Sequence, residues 1–471
     1  MLARTAGITA FTLSAAAVGA QGNSPYSRFG LGDIAPNTHI VNRGMGGVSI
    51  ADANQPQDVR YSDRLRVNFS NPASYSSFFG FGQARNPKKL ASGRVLLDVG
   101  TYLENKTLRE PSRADKFTSS DLNISYLQIG IPLRKGWGLA IGLRPLTRVS
   151  YMVEDRRRIF NPPAQGGNNI DSVYTEYSGD GGSFLPTIGT GFAIGDLSIG
   201  ANIGYLFGSR EASTVRYFEN DTVVYYHGLQ RTNSNFGKVY FDFGAQYTIQ
   251  LNKARGQFLR LGATGNLKQN LNATQRVTIG TFTLDPNTAL TDTVYKSSND
   301  RGTIVYPASY SFGVLFGGDL IKPGPEAVEK RNQRWGFWQI GADLVMNKWS
   351  QYRYFGASDA VADNMIVRVG GQIRPNLTQA YLSRITYRAG FHAGKDYISA
   401  GGNMPLWGVS AGLGVPFGNF SNLTRNQITT VNLAFEYNNR GNNQNPLKEN
   451  NFRLSLGLNL SDFWFVKRRY D

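Results

Sequence analysis

The segment from Phe452 to Leu460 constrains the fold more than any other part of the chain. Large apolar side chains occupy every second position, and small or polar residues, with one arginine, occupy the positions between. Because successive side chains of a strand point to opposite faces, this segment predicts a strand with one apolar and one polar face. Aromatic residues follow directly at 463–465. Repeated along a secreted chain, such strands are typical of a transmembrane β-barrel.

The same period of two recurs along the chain, where a helix would show a period of 3.6. It covers 137–144, 197–208, 241–250, 385–391, 407–417 and 429–437. Short turns alternate with long polar connections along the chain. Bacterial barrels have short turns at the periplasmic end and long loops at the extracellular end. We therefore predict an all-β fold, an antiparallel transmembrane barrel of about fourteen strands spanning 93–465. An even strand number places both termini in the periplasm, with 466–471 as a periplasmic tail.

The N-terminal residues have the pattern of an export signal. A short basic start precedes an apolar stretch of small residues, and an acceptable cleavage site ends at Ala20. We interpret 1–20 as a secretory signal peptide. The sequence contains no cysteine, which excludes disulfides, thiol catalysis and cysteine-ligated metals.

Residues 21–92 do not share the alternation. They are rich in Gly, Asn, Pro and Ser, with short apolar pieces among them. The interior of a barrel this wide is too large for wall side chains alone to fill. We predict that 21–92 form a hatch, that is, a plug folded inside the lumen. A separate periplasmic domain is the alternative.

The chain is strongly basic, with a formal net charge of +17. In a soluble protein this excess would favour nucleic-acid binding. Here the basic residues are spread over loops, lumen positions and the tail, so contact with outer-membrane lipid headgroups and lipopolysaccharide phosphates is the favoured interpretation. We predict no nucleic-acid partner.

Nothing in the sequence predicts an enzyme, a cofactor or a metal site. There are three histidines, His39, His227 and His392, and none has a nucleophile or a ligand cluster at suitable spacing. Alternation places a set of arginines on the lumen face. An arginine cluster could bind the carboxylate of a fatty acid, but ion pairs that hold the hatch in place are the favoured reading. The candidates in this set are Arg144, Arg148, Arg260, Arg384 and Arg388.

Several short motifs resemble the FadL-like outer-membrane transporters, in the branch found in Bacteroidota. They are the stretches at 24–33, 43–48, 68–73 and 306–309 and the C-terminal residues 464–471. The resemblance implies a gated hatch inside a fourteen-stranded barrel, with motif residues Gly44, Gly46, Gly47, Asn71, Pro72 and Ala73. It also implies ligand or gate residues near the N-terminus, for which the candidates are Ser24, Pro25, Tyr26, Arg28 and Phe29.

Two functions follow as expectations. The first is passive uptake of hydrophobic small molecules resembling long-chain fatty acids, gated by the hatch, with lateral release into the membrane. The second is a barrel that does not transport but supports a protein secretion or surface-protein complex; a purely structural role is a third reading. Transport predicts an apolar pocket beside a wall gap, and the second function predicts a sealed lumen and exposed apolar loops. In either case the barrel-assembly machinery is a partner during biogenesis.

Overall fold

The structure is a computed structural model. It describes residues 24–54, 65–80, 94–158, 172–219, 225–253, 255–283, 286–287, 290–320, 336–375, 380–417 and 428–462. The predicted signal peptide 1–20, the aromatic residues 463–465 and the tail 466–471 lie outside these residues.

Strands dominate the described residues. They are β1 Asp33–Ile34, β2 Val95–Arg109, β3 Lys116–Arg134, β4 Trp137–Arg158, β5 Ser172–Ile194, β6 Leu197–Glu219, β7 His227–Asn252, β8 Gln257–Asn266, β9 Gln269–Phe282, β10 Asp292–Lys296, β11 Asp300–Tyr306, β12 Ser309–Leu320, β13 Gly336–Asn347, β14 Arg353–Tyr354, β15 Asn364–Arg374, β16 Thr386–Lys395, β17 Pro405–Phe417, β18 Ile428–Arg440 and β19 Lys448–Asp462. One helical turn, α1, covers Ile40–Arg43, and short 3₁₀ helices cover Pro25–Arg28, Pro72–Gly80, Trp349–Gln351 and Tyr381–Arg384.

The strands close into an antiparallel barrel because β19, the last strand, pairs with β2 along its whole length. Two wall strands are each interrupted once: β8 continues as β9, and β11 continues as β12. Strand β1 belongs to the hatch, while β10 and β14 are short additions near the loops. The wall therefore has fourteen strands, which confirms the predicted fold.

Alternation in the sequence becomes two chemically different barrel faces. In β19, Phe452 and Leu456 are 50% and 48% exposed on the outside, whereas Ser455 between them is fully buried. In β6, Ile199 and Ile203 face outward in the same way. In water this would be a large exposed apolar surface; in a membrane it is the face in contact with lipid.

Residues 24–54 and 65–80, here called the hatch, pack against lumen-facing glycines. A Cβ on Gly200 would lie 2.4 Å from the Pro72 backbone, and one on Gly390 would lie 2.1 Å from the Gly46 nitrogen. Such contacts require glycine because any side chain would occupy the space that the hatch backbone fills. The boundaries 21–92 and 93–465 stay predictions. No helix among the described residues has the length and apolar character needed to cross a membrane.

The wall is incomplete between β3 and β4. These strands pair only from Leu127 to Arg134, opposite Leu143 to Trp137. Beyond Leu143, β4 continues along β5 to its end, and β3 continues along β2 to Lys116. The two strands thus diverge toward the end of the barrel that carries the long strand extensions. We call this opening the seam.

Candidate functional site

The N-terminal part of the hatch is fixed at the loop end of the lumen. The Ser24 hydroxyl donates a hydrogen bond to Glu449 Oε1 at 2.5 Å, and the Ser24 amide donates to the Ser150 carbonyl at 3.0 Å. The Tyr26 hydroxyl donates to the Leu447 carbonyl at 2.8 Å. Pro25 opens the 3₁₀ turn that holds these groups in position.

The following residues enter an aromatic cluster. Tyr352 and Tyr397 donate hydrogen bonds to the carbonyls of Gly30 and Gly32, at 2.9 and 2.8 Å. Gly30 has φ +62°, the left-handed region in which glycine is favoured, and its Cα faces the Trp349 ring. Phe29 packs against the same cluster, whereas Arg28 is exposed. Of the five predicted gate residues, four are therefore held in place and one faces outward.

Arg440 is the centre of a largely buried ionic cluster that holds this segment. Its guanidinium lies 2.5 Å from Asp396, 2.9 Å from Asp33 and 3.1 Å from Glu449. It also stacks over the Tyr26 ring, 5.3 Å from the ring centre. Because Asp33 and Tyr26 belong to the hatch while the other groups belong to the wall, this cluster joins the two.

Asp33 carries a second cation contact, to Lys106 at 3.0 Å. Burial alone would raise the pKa of Asp33, but the charges of Lys106 and Arg440 outweigh that effect and hold the pKa below its usual range. The carboxylate is therefore ionised at neutral pH, as the ion pairs require.

The glycines of the hatch motif follow α1. Gly46 and Gly47 have φ of +69° and +88°, so they form the tight turn that reverses the chain after the helix. The Gly46 amide donates a hydrogen bond to Ser410 Oγ in the wall at 2.8 Å. Gly44 packs against the Gly412 backbone: a Cβ placed on Gly44 would lie 3.0 Å from the Gly412 Cα. These residues allow the hatch backbone to approach β16 and β17 closely.

Asn71 explains the Asn-Pro-Ala motif. Its side-chain amide donates to the carbonyl of Ile50 at 2.8 Å and to those of Ala245 and Ala263 at 3.3 Å. The first carbonyl is in the hatch and the other two are in the wall. Its Oδ1 accepts from the Ala73 amide at 3.1 Å, which starts the 3₁₀ helix that includes Pro72.

Most of the predicted lumen arginines hold the hatch or the wall. Arg144 donates to the Phe69 carbonyl at 3.3 Å and stacks on the Phe69 ring, and Arg260 donates to the Ala53 carbonyl at 3.1 Å. Arg388 bonds wall amides, including Asn432 at 3.0 Å. Arg144 and Arg260 thus contact the hatch from the wall, and Arg388 joins neighbouring wall strands.

The remaining two predicted arginines are Arg148, which lies in a wall strand, and Arg384, which does not. Arg148 lies at the seam, where it forms an ion pair with Asp121 of β3. Arg384 does not point into the lumen from a strand: it ends the short 3₁₀ helix Tyr381–Arg384, before β16 begins. The alternating pattern was extended two residues too far there.

His39 belongs to the hatch and not to a catalytic site. Its Nδ1 accepts from the Val41 amide at 3.2 Å, so the ring proton is on Nε2, which lies 3.3 Å from Asp98. Burial lowers the pKa of His39 although Asp98 acts in the opposite direction. His39 is thus a neutral side chain that caps α1 and ties it to β2.

A cavity of about 400 Å³ remains between hatch and wall. Its lining combines apolar and aromatic side chains, such as Leu146 and Trp349, with a large charged set that has as many cationic as acidic members. The cationic ones are Arg43, Lys106, Arg144, Arg148, Arg368, Arg440 and Arg453; the acidic ones are Asp33, Glu104, Asp121, Asp242, Asp396, Glu436 and Glu449. Near the seam, Ile34 also lines the cavity and is 41% exposed.

Arg440 and Lys106 are site residues that were not predicted from the sequence. Arg440 lies four residues after Glu436 in β18, on the same inward face. Extending the alternating pattern of that strand to residue 440 would have identified it. No local pattern marks Lys106 or its partner Asp33, because their contact joins elements 73 residues apart.

The fold and this interface define a transmembrane β-barrel of the FadL-like class with residues of its N-terminal region packed in the lumen. The model of the BamG family matches residues 1–471. The chain therefore belongs to the BamG family. A comparison with curated proteins found no significant match.

Solved structures of similar fold include a FadL homologue and a toluene transporter. A Pseudomonas aeruginosa FadL homologue is 13% identical with a TM-score of 0.51, covering 93% of this chain and 100% of that one. At that identity the likeness establishes the fold, and it confirms the FadL-like resemblance. The Ralstonia pickettii toluene transporter TbuX is 12% identical, covers 92% of this chain and 99% of its own, and has a TM-score of 0.46.

Proposed function

We propose that this protein is a non-conducting outer-membrane barrel that serves as a docking partner in the assembly or secretion of other outer-membrane and surface proteins. The observation that carries the proposal is the charged, ion-paired character of the space between hatch and wall. Of the two functions expected from the sequence, this is the one that needs no passage for a solute through the lumen.

A charged lumen is a poor route for an apolar solute. The chain of a fatty acid would have to displace water from paired charges such as Arg453 with Glu104, which are 2.7 Å apart. Removing water from such groups without replacing its hydrogen bonds is costly. Small-molecule sites usually combine an apolar lining with only a few polar groups, whereas charged side chains make up a large part of the lining here.

The hatch is also attached at many separate points. Arg440 and Asn71 join it to the wall at two levels, and Asp343 of β13 accepts hydrogen bonds from the Ser49 and Ile50 amides at 2.6 and 3.0 Å. Opening a passage would require breaking several buried charged contacts together, each of which is expensive to leave unpaired.

The long strands supply a surface for partners. Strands β5 and β6 are each 23 residues long and β7 is 26, whereas a tilted strand crosses a bilayer with about 10 residues. Roughly half of each strand therefore lies beyond the membrane. Tyr177 of β5 and Tyr226, just before β7, are exposed, and exposed apolar side chains are a feature of docking surfaces.

The BamG designation of the family is consistent with a role linked to barrel assembly. In this proposal the protein lies in the outer membrane with both termini in the periplasm, in contact with lipid and lipopolysaccharide, and its partners are the barrel-assembly machinery and its surface-protein clients.

Depletion of the protein in its own bacterium tests this function. We expect the folded, heat-modifiable fraction of other outer-membrane barrels or surface proteins to fall before fatty-acid uptake changes. Purified protein in liposomes should not accelerate uptake of a fluorescent long-chain fatty acid. Normal folding of other barrels after depletion, together with rapid uptake by the purified protein, would refute the proposal.

The second candidate is a passive channel for hydrophobic small molecules, gated by the hatch. The seam favours it, because a wall gap beside the cavity is the feature expected for lateral release, and Ile34 provides an apolar group at that position. Deleting residues 21–40 distinguishes the two: a channel should show altered uptake, while the docking function should lose hatch stability without gaining transport of that solute.

A further inference from the structure

We infer that the seam is a docking site for a β-strand of a partner outer-membrane protein, which would pair with the free edge of β3. This inference rests on the proposed function and specifies where one partner binds. The edge concerned is the part of β3 from Ser120 to Tyr126, which pairs with β2 on one side. On its other side no strand pairing occurs among the described residues.

This edge lies at the level of lipid. Leu122 and Ile124 point outward and are 66% and 68% exposed. Ile124 pairs with Thr101, which in turn pairs with Leu456, a lipid-facing residue two strands away. Backbone amide and carbonyl groups at this depth have no water to bond, so barrels normally leave no open edge there.

The opposite edge of the seam already accepts a strand. Strand β1 pairs with β4 in antiparallel register, with Asp33 opposite Arg148 and Ile34 opposite Thr147. The Ala35 amide extends the ladder by donating to the Leu146 carbonyl at 3.0 Å. The β4 edge is thus partly satisfied by the hatch, which leaves β3 as the edge that requires a partner.

The side chains of β3 define the chemistry of that partner. On the inner face, Asp121 and Asn123 both contact Arg148, so that face is occupied. On the outer face, Leu122 and Ile124 offer apolar contacts. The matching strand would therefore be apolar on its lipid side and polar or small on the other, which is the pattern of a barrel strand.

A peptide strand fits this edge better than the other occupants. A lipid or a hydrocarbon cannot supply alternating donors and acceptors along the backbone. A second copy would offer the same edge, because its β3 is held by its own β2 on one side only; pairing between two copies is therefore an outcome that the test below distinguishes. Pairing by strand addition is a common mode of recognition at free sheet edges.

Site-specific photocrosslinking in the native membrane tests the inference. A photoreactive residue would replace Leu122 or Ile124, and the same residue at Leu456 is the matched control at equal depth. We expect both seam positions to crosslink one partner protein, at peptide positions two residues apart, because one strand face repeats every second residue. The control should give lipid adducts only.

A charge substitution provides the second measurement. Leu122→Lys should lower the partner crosslink from position 124 by at least about tenfold, since lysine on an edge opposes strand pairing. Leu456→Lys should not lower it. Heat-modifiable migration of each variant shows that the barrel has folded. Those amides of 120–126 that point away from β2 should exchange slowly in the native complex and rapidly in the isolated protein.

Each outcome is decisive. Crosslinks to lipid alone, to a second copy or to scattered sites would overturn the strand-docking inference, as would equal exchange of 120–126 in complex and isolated protein. If such a result accompanied defective folding of other barrels on depletion, the proposed function would stand and only its docking site would be wrong. Normal folding of other barrels on depletion, together with rapid fatty-acid uptake by the purified protein, would refute the function itself.

Discussion

Replacing Arg440 by methionine should release the N-terminal part of the hatch. The substitution keeps much of the side-chain volume but leaves Asp396 and Glu449 without their shared cation and removes one of two cations from Asp33. Removing one partner of a buried ionic cluster typically costs about 3–5 kcal/mol. At about 1.4 kcal/mol per tenfold change, the undocked population of the hatch should rise by roughly two to four orders of magnitude.

Amide hydrogen exchange measures this opening directly, since it reports local unfolding segment by segment. The Ala35 amide, bonded to the Leu146 carbonyl, should exchange much faster in Arg440→Met, while amides of β19 should be unchanged. The control is Arg156→Met, because the Arg156–Glu219 pair is exposed and such pairs contribute little to stability. Equal protection of Ala35 in Arg440→Met and the wild type would refute the view that this cluster holds the hatch.

Three further predictions concern other hatch contacts. Gly390→Ala should displace the hatch turn and lower the thermal midpoint of the protein, because its Cβ would lie 2.1 Å from a hatch nitrogen; Gly228→Ala, with open space around it, should not. Asn71→Ala should destabilise the hatch by about 1–3 kcal/mol in denaturant unfolding, since three carbonyls lose a donor. Because the pKa of His39 is lowered in the folded state, its contribution to the stability of the hatch is complete above its ordinary pKa of about 6.5 and declines as pH falls through the lower folded value. The hatch should therefore unfold more easily at pH 5 than at pH 8. His39→Gln should weaken that pH dependence.

The wall was predictable from sequence because lipid imposes a simple rule. Every outward position must be apolar, so strands such as Phe452–Leu460 carry a period of two that is visible without any structure. The rule fails where lipid is not the neighbour. Arg384 was placed in a strand because the alternation begins next to it, but the chain there forms a 3₁₀ turn.

The contacts of the hatch were not predictable, because they join residues far apart in the sequence. Asp33 and Arg440 are separated by 407 residues, and neither has a local pattern that marks it as a partner of the other. The motif Asn71-Pro72-Ala73 was visible as a turn signal. Its bonds to the wall depend on where the barrel places Ala245 and Ala263.

The seam and the hatch have opposite effects on the gap between β3 and β4. Within the membrane, an unpaired strand edge favours closing the gap between β3 and β4. The hatch prevents closure by inserting β1 against β4 and anchoring Asp33 in the Arg440 cluster. If the hatch were only a plug, it could fill the lumen without using an edge of the wall. Because it occupies one edge and leaves the other, a hatch that is locked in place keeps the seam open, and the stability of the Arg440 cluster becomes a condition for pairing at β3. Arg440→Met should therefore reduce crosslinking from position 124 even though Arg440 does not contact β3, and unchanged crosslinking in that variant would separate the two features.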